Sequence, residues 1–508
     1  MSYLLGIDIG TSGTKSLIID TDKNGAVVGS ATVEYPLYTP KPLWAEQNPE
    51  DWWQAVAASV RKAVDNAGIK GGDIRGIGLS GQMHGAVFLD SQDRVLRPSI
   101  LWCDQRTAAE CDWITQTVGA ERVIELISNP VLTGFTAGKI VWLRNNEPDI
   151  YAKVAKVLLP KDYIRLRLTG EYATEVSDAS GTALFNVKQR KWSYEMLDAV
   201  GIPSEWMPNV YESPEVSGHL TPQAADEIGL SAGTPVVGGG GDQAAGAVGS
   251  GVVRTGIISS TVGTSGVVFA FADEPVVDPK LRVHTFCHAV PGRWYTMGAS
   301  LAGGMSLRWF RDQFYNTRRG RPLTTENDLY AEMIAEALKA PPGCDGLFFS
   351  PHLGGRICPA APEMRGAWLG FSWGHTQAHF IRAVLESVAY EYAFYLSILR
   401  ELVPDLQWQE ARVAGGGARS PAWNQIKADV LGVPYRALQG SEFGAWGSAL
   451  IAGKAAGLFT DLAAMAEEHA RLIEPGYPPE PERQAFYASR VEQYIRWQEL
   501  LDWGFRAP

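Results

Sequence analysis

The pattern that most constrains this chain is one it contains twice. Leu4-Leu5-Gly6-Ile7-Asp8-Ile9-Gly10-Thr11-Ser12-Gly13-Thr14-Lys15-Ser16-Leu17-Ile18-Ile19-Asp20 sets two apolar, partly β-branched runs around a turn of glycines and hydroxyls, which reads as a β-hairpin. The loop suits an anion. Glycines let backbone N–H groups approach closely, Thr11, Ser12 and Thr14 add donors, and Lys15 adds positive charge. Asp8 would repel bare phosphate, so its expected purpose is to hold Mg²⁺, directly or through water, against a nucleotide's oxygens. An ordinary Gly-rich hairpin looks the same, and this segment alone leaves the two readings level. The second copy decides between them: residues 256–269 repeat strand, Gly263-Thr264-Ser265-Gly266 turn, strand, and follow Pro235-Val236-Val237, four glycines at 238–241 and Asp242. A duplicated core is expected, two lobes facing one nucleotide across a cleft, where small-molecule sites prefer to lie.

At 508 residues the chain is long enough for two cores. A net charge of -11 without a Lys/Arg-rich run gives no footprint for nucleic acid or an anionic membrane. Met1-Ser2-Tyr3 leads into a strand without a charged, then apolar, leader, and no apolar run is long enough to span a bilayer, so a cytoplasmic enzyme is expected. Five scattered cysteines, an odd number with no Cys-x-x-Cys, argue for reduced thiols.

Strand runs alternate with helical patterns, the mark of an α/β architecture. Residues 51–64 follow Asn48-Pro49, carry an acidic first turn and end toward Gly68, predicting a helix. Residues 74–80 predict a strand with 85–90 as its hairpin partner, which puts Met83 and His84 at a strand end, where α/β folds place ligand contacts. A break at Ser231-Ala232-Gly233-Thr234-Pro235 divides the chain into lobes 1–233 and 234–474, and 475–508 carries a helix, residues 483–503, expected to pack back on the protein. In 411–423 a short strand breaks into glycines and restarts as a helix, either a plain turn or a flat backbone and a helix N-terminus facing a ligand. Asp242, after four glycines and before an apolar helix, is either an N-cap or a base near a helix N-terminus.

Some motifs are discounted. Gly76-Ile77-Gly78-Leu79-Ser80-Gly81 spells G-x-G-x-x-G but is followed by a strand rather than a helix, and Gly447 to Gly453-Lys454 is one residue too long for a P-loop. His284/His288 and His375/His379 have helical spacing without a zincin Glu or third ligand, so structural histidines are expected. Trp52 and Trp53 read as core.

Gly134-Phe135-Thr136-Ala137-Gly138-Lys139-Ile140-Val141-Trp142-Leu143-Arg144-Asn145-Asn146 resembles the first signature of the FGGY family of carbohydrate kinases, and residues 366–386 resemble its second. The resemblance covers essentially the whole chain. It implies an α/β fold of two actin-like, RNase H-like ATPase domains of the actin/hexokinase/Hsp70 superfamily with a cleft between them. It also implies a site. Asp242 takes the place of the general base, with Asp8 as the second catalytic carboxylate and Mg²⁺ ligand. Thr11, Ser12, Gly13, Lys15, Gly263, Thr264 and Gly304 would line the ATP phosphates, and Gly416, Gly417 and Ala418 the adenosine. Gly81-Gln82-Met83-His84-Gly85 resembles the stretch that holds sugar in family members acting on xylulose, where glycerol-type relatives carry Arg-Glu. Met83, His84, Asp242, Gln243, Trp102 and Asp104 are thus the sugar candidates, though a buried Asp104–Arg106 pair holding a loop would look identical. The implied reaction is ATP-dependent phosphorylation of the terminal hydroxyl of D-xylulose. The alternatives are a kinase of another ketose or polyol, such as ribulose or a related alditol, and an actin- or chaperone-like ATPase. The partners expected are sugar and MgATP, with a homodimer as candidate assembly. Two departures stand out: Gln243 replaces the usual Asn, and Gly354-Gly355-Arg356-Ile357-Cys358-Pro359 replaces a Gly-Glu-Arg-Thr-Pro run.

Overall fold

In a computed structural model of the chain, which describes residues 2–23, 25–315 and 326–506, each hairpin seeds a sheet. The first is built from β1 (Tyr3–Ile9), β2 (Gly13–Asp20), β3 (Ala26–Glu34), β4 (Ile74–Gly81) and β5 (Pro235–Val237), in spatial order β3-β2-β1-β4-β5. The second contains β6 (Ile257–Val262), β7 (Gly266–Ala272), β8 (His284–Cys287), β9 (Trp294–Ser300), β10 (Glu410–Ala414) and β11 (Tyr435–Ala437), in order β8-β9-β7-β6-β10-β11. With β8 set aside from the second sheet, and Val216–His219 and Gly240–Gly241 from the first, the remaining five strands of each run in the same order. In each, the hairpin and its third strand are antiparallel and the two later strands parallel. The duplication read from two turns is therefore a duplication of whole sheets.

Eight helices matter to the site: α1 (Pro49–Ala67), α2 (Thr136–Asn146), α3 (Asp242–Gly249), α4 (Gly303–Phe310), α5 (Gln377–Leu402), α6 (Pro421–Leu431), α7 (Phe443–Ala455) and α8 (Pro481–Arg506). The ends of α1 are set locally. The Asn48 side chain accepts from Glu50 N, Pro49 opens the first turn, and Gly68 closes the helix at φ 65°. It buries Trp52 and Trp53 against Leu5, Ile7 and Ile9 of β1. Because strand side chains alternate, Leu4, Gly6 and Asp8 point to the other face, which α7 covers with α3 beside it.

That covering is unusually close. A Cβ on Gly6 would stand 1.8 Å from the Ala445 carbonyl oxygen, one on Gly78 1.8 Å from that of Ser448, and one on Gly447 1.9 Å from that of Ala245. Glycines on both sides let α7 meet β1, β4 and α3 backbone to backbone. Nothing local in the sequence announces this, since α7 lies more than 400 residues from β1.

Several expectations are corrected. The break at 231–235 is not where the lobes divide: β5 pairs with β4, Gly240–Gly241 pairs with Ser80 and Gly81, and α3 packs on α7, so Asp242 belongs to the first sheet's lobe. Residues 85–90 do not return along β4. Val87–Leu89 pairs with Lys156–Leu158: β4 ends at Gly81, and the chain turns away at His84, which has φ 69°. His284 and His288 lie on and beside a strand, not a helix: His284 Nε2 sits 3.1 Å from Cys358 Sγ, and His288 Nε2 donates to Val252 O at 3.1 Å. His375 precedes α5 and His379 lies in its first turn.

Helix α8 lies along α5 and α6, with Tyr487 and Tyr494 donating to Glu386 and Glu391 of α5 at 2.6 Å each. The divergent run 354–359 is fixed between this helix and β8, Arg356 pairing with Asp502 at 2.9 Å and Cys358 meeting His284. Among the described residues no helix is long and apolar enough to cross a membrane, and all five cysteines are free.

Candidate active site

The register of the first sheet lines up the site. Lys15 on β2 lies across from Asp8 on β1, Asp8 across from Ser80 on β4, and Ser80 across from Gly240, two residues before Asp242. One row across the sheet thus carries an ammonium, a carboxylate and a hydroxyl toward the α7 face and ends beside a second carboxylate. Ser80 Oγ donates to Asp8 Oδ1 at 2.8 Å. Gly444 in the first turn of α7 closes over the row: a Cβ there would stand 3.1 Å from Asp8 Oδ2. Burial raises the Asp8 carboxyl's proton affinity, with the Ser80 hydrogen bond opposing it.

Asp242 is the first residue of α3, with Gly241 at the capping position, and its Oδ1 accepts the Gln243 N–H at 2.7 Å. Its side chain is half-buried. Its pKa is pushed up to about 7, first by burial and then by the charge of Asp8. The glycine run before it is held rigidly from below. Arg165 donates to Val237 O at 2.5 Å and Gly238 O at 2.6 Å, and Gly241 N donates to Ser177 Oγ at 3.0 Å.

Met83 and His84 reach the same place. A Cβ on Gly241 would stand 2.9 Å from Met83 Sδ, so Met83 lies directly beside the residue preceding Asp242. His84 stacks on Phe135 at 4.7 Å and donates from Nδ1 to Gly181 O at 2.7 Å. Burial drives its pKa down to about 3, so the ring is neutral. The carbonyl of His84 accepts from Lys139 Nζ at 2.6 Å and Thr136 Oγ1 at 3.1 Å, both on α2. The positive φ is thereby held by the 134–146 segment. Trp102 Nε1 donates to Thr11 Oγ1 at 2.9 Å, which joins the sugar candidates to the first turn. Gln243 follows Asp242 in the first turn of α3.

Asp104 is a correction. It is fully buried, accepting from Ala45 N at 2.7 Å and from the Arg106 backbone and guanidinium at 2.9 and 2.7 Å, while Arg106 stacks on Trp44 at 3.6 Å. With its oxygens occupied inside the protein, it holds a loop and does not face the cleft.

The second sheet gathers the remaining candidates around one turn. Gly304 N donates to Gly263 O at 2.9 Å and Met305 N to Thr264 O at 3.0 Å, seating the start of α4 on the second hairpin's tip. Gly415 at φ 82° and Gly417 pack against Val262, one residue before Gly263, as hypothetical Cβ distances of 2.8 and 2.6 Å show. Gly263 and Gly416 face open space. Gly263, Thr264, Gly304, Gly416 and Ala418 are therefore gathered around one turn, with Gly417 buried beneath them against Val262. The first-turn residues Thr11, Ser12 and Gly13 sit at the matching position of the other sheet. Ser80, Lys139, Glu442 and Gly444 also belong to this arrangement. Lys139 lies inside the 134–146 segment, whereas Glu442 and Gly444 come from the distant start of α7 and carry no local signal.

Residues 3–249 match the FGGY family of carbohydrate kinases, N-terminal domain, and residues 258–456 match its C-terminal domain. The xylulose kinase of Escherichia coli (strain K12) is 39% identical over 98% of this chain and 99% of its own length. The gluconokinase of Bacillus subtilis (strain 168) is 33% identical over 85% of this chain and 83% of its own. The crystal structure of a xyloylose kinase from Brucella ovis superposes with a TM-score of 0.89 at 34% identity, covering 98% of this chain and 99% of that one.

Proposed function

The chain belongs to the FGGY family of carbohydrate kinases and is a sugar kinase, and from that premise we propose that it transfers the terminal phosphoryl group of ATP to the terminal hydroxyl of D-xylulose, giving D-xylulose 5-phosphate and ADP. The observation that carries the reading is the placement of Met83 against Gly241, which puts the sugar stretch beside Asp242, in a chain whose full-length relatives include xylulose kinases. The sugar oxygen forms a bond to the γ-phosphorus, the bond to the β,γ-bridging oxygen breaks, and ADP leaves with that electron pair. The sugar proton passes to Asp242. Such a transition state is loose, so positioning and charge neutralisation carry most of the catalysis.

Thr11, Ser12, Gly13 and Lys15 on one side, with Gly263, Thr264 and Gly304 on the other, bind the phosphates, and Gly416, Gly417 and Ala418 the adenosine. Met83, His84, Gln243 and Trp102 bind the sugar. Mg²⁺ fits beside Asp8, whose Oδ1 accepts from Ser80 while Oδ2 faces Gly444, where a Cβ would stand 3.1 Å away. Asp8 would hold the ion, partly through water, and the ion would neutralise phosphate charge. The free cysteines suit a cytoplasmic setting.

A panel of pentuloses, hexuloses, polyols and gluconate in an ADP-release assay tests the substrate. D-xylulose is expected to have the highest kcat/KM. A tenfold advantage for another compound, about 1.4 kcal/mol of transition-state binding, overturns the substrate and leaves the kinase standing. The pH profile tests the base. Asp242 accepts a proton only when ionised, and its raised pKa moves protonation into the neutral range. The rate is therefore full above about pH 7 and falls about tenfold per unit below it. A kcat/KM that stays flat down to about pH 5.5 contradicts a base of that pKa.

A further inference from the structure

Glu442, immediately before α7, closes the row that begins at Lys15. Its Oε1 lies 2.5 Å from Lys15 Nζ and accepts from Ser441 Oγ at 2.7 Å. Two residues on, Gly444 abuts the Asp8 carboxylate. The start of α7, the Lys15 ammonium and Asp8 are thus one assembly, although they come from opposite ends of the chain. The helix cannot drift from it, because α7 is seated backbone to backbone on β1 and β4. Yet the ion pair itself is open to solvent, with 22% of the Lys15 side chain and 39% of the Glu442 side chain exposed. An exposed pair is cheap to break. A multiply charged phosphate approaching Lys15 would compete directly with Glu442 for the same ammonium.

We propose that Glu442 is an internal stand-in for nucleotide phosphate: it holds Lys15 extended in the cleft and is displaced from it when the nucleotide binds. The inference rests on the reading of the first hairpin as part of the nucleotide site. Its consequence is a site that keeps the ammonium oriented but binds nucleotide more weakly than Lys15 alone would allow.

The test is the Kd of the magnesium-bound β,γ-imido analogue of ATP, measured by titration calorimetry on the full chain, which needs no sugar and no turnover. Glu442→Gln keeps the side chain's size and removes its charge, and is expected to tighten binding about two- to fivefold, the range that a partly exposed ion pair supports. Lys15→Ala is expected to weaken binding. In the double variant the gain from Glu442→Gln should vanish, because no ammonium is left to release. Unchanged or weaker binding by Glu442→Gln overturns the stand-in, and so does a gain that persists without Lys15. If Lys15→Ala weakens binding but Glu442→Gln does not tighten it, the stand-in alone fails. If Lys15→Ala binds like the parent chain, the hairpin reading fails and takes the stand-in with it. Should Glu442→Gln not fold, Glu442→Asp, one methylene shorter, must still bind tighter than the parent chain, and equal or weaker binding overturns the proposal.

Discussion

Replacing Asp242 by Asn is expected to lower kcat by about 10²–10⁴-fold, the usual contribution of a general base, while sugar affinity and the thermal melt stay near those of the parent chain. The structure explains why the two effects separate. Asp242 uses Oδ1 to accept the Gln243 N–H at 2.7 Å, and an Asn amide oxygen can accept the same bond. The first turn of α3 and the Arg165-held glycine run beneath it are undisturbed. What Asn cannot do is take up a proton. If Asp242 served only to start the helix, Asn would replace it at little cost. Retention of more than roughly a tenth of kcat therefore contradicts the catalytic assignment.

Gly78→Ala should be severely destabilising. The new Cβ would stand 1.8 Å from the Ser448 carbonyl oxygen and 2.4 Å from its carbon, and neither backbone atom can rotate aside. Helix α7 has to move, at a cost at or beyond the upper end of overpacking effects, about 3 kcal/mol. Because Gly444 of the same helix rests on Asp8, nucleotide affinity should fall with stability. Gly76→Ala in the same strand is the control: its Cβ would meet Ala452 O at 3.4 Å, an ordinary contact, and replacing a strand glycine by Ala is neutral or stabilising by about 0.5–1 kcal/mol. Thermal melts of the two variants should differ sharply. Equal melts would mean that α7 is not seated on β4 as described.

The features legible in the sequence are those encoded by neighbours in the chain. Both hairpins declare themselves through a glycine-and-hydroxyl turn between apolar runs, and α1 through Asn48, Pro49 and Gly68, because turn and cap chemistry acts within a few residues. Partner choice between distant segments is different. Val87–Leu89 reads as a returning strand, yet it joins Lys156–Leu158, since strand pairing is selected by packing that short-range pattern does not encode. The segment 231–235 reads as a domain break, whereas the chain after it continues the first sheet, Val236 pairing with Ile77 and Gly240–Gly241 with Ser80 and Gly81. Asp104 could not be assigned from spacing because a buried Asp–Arg pair and a ligand-facing Asp have the same local sequence; only the Ala45 and Trp44 contacts distinguish them. Glu442 carries no local signal, because its partner Lys15 lies at the opposite end of the chain.

Phosphorus NMR of the reaction mixture separates phosphoryl transfer to a sugar hydroxyl from simple hydrolysis of ATP. With the purified chain, Mg²⁺, ATP and D-xylulose, the γ-phosphate signal should give way to one phosphomonoester signal coupled to the C5 protons, rising one for one with ADP. Omitting the sugar should leave ATP essentially intact. ADP formation that proceeds at the same rate without sugar, with inorganic phosphate as its only companion, would show an ATPase rather than a sugar kinase.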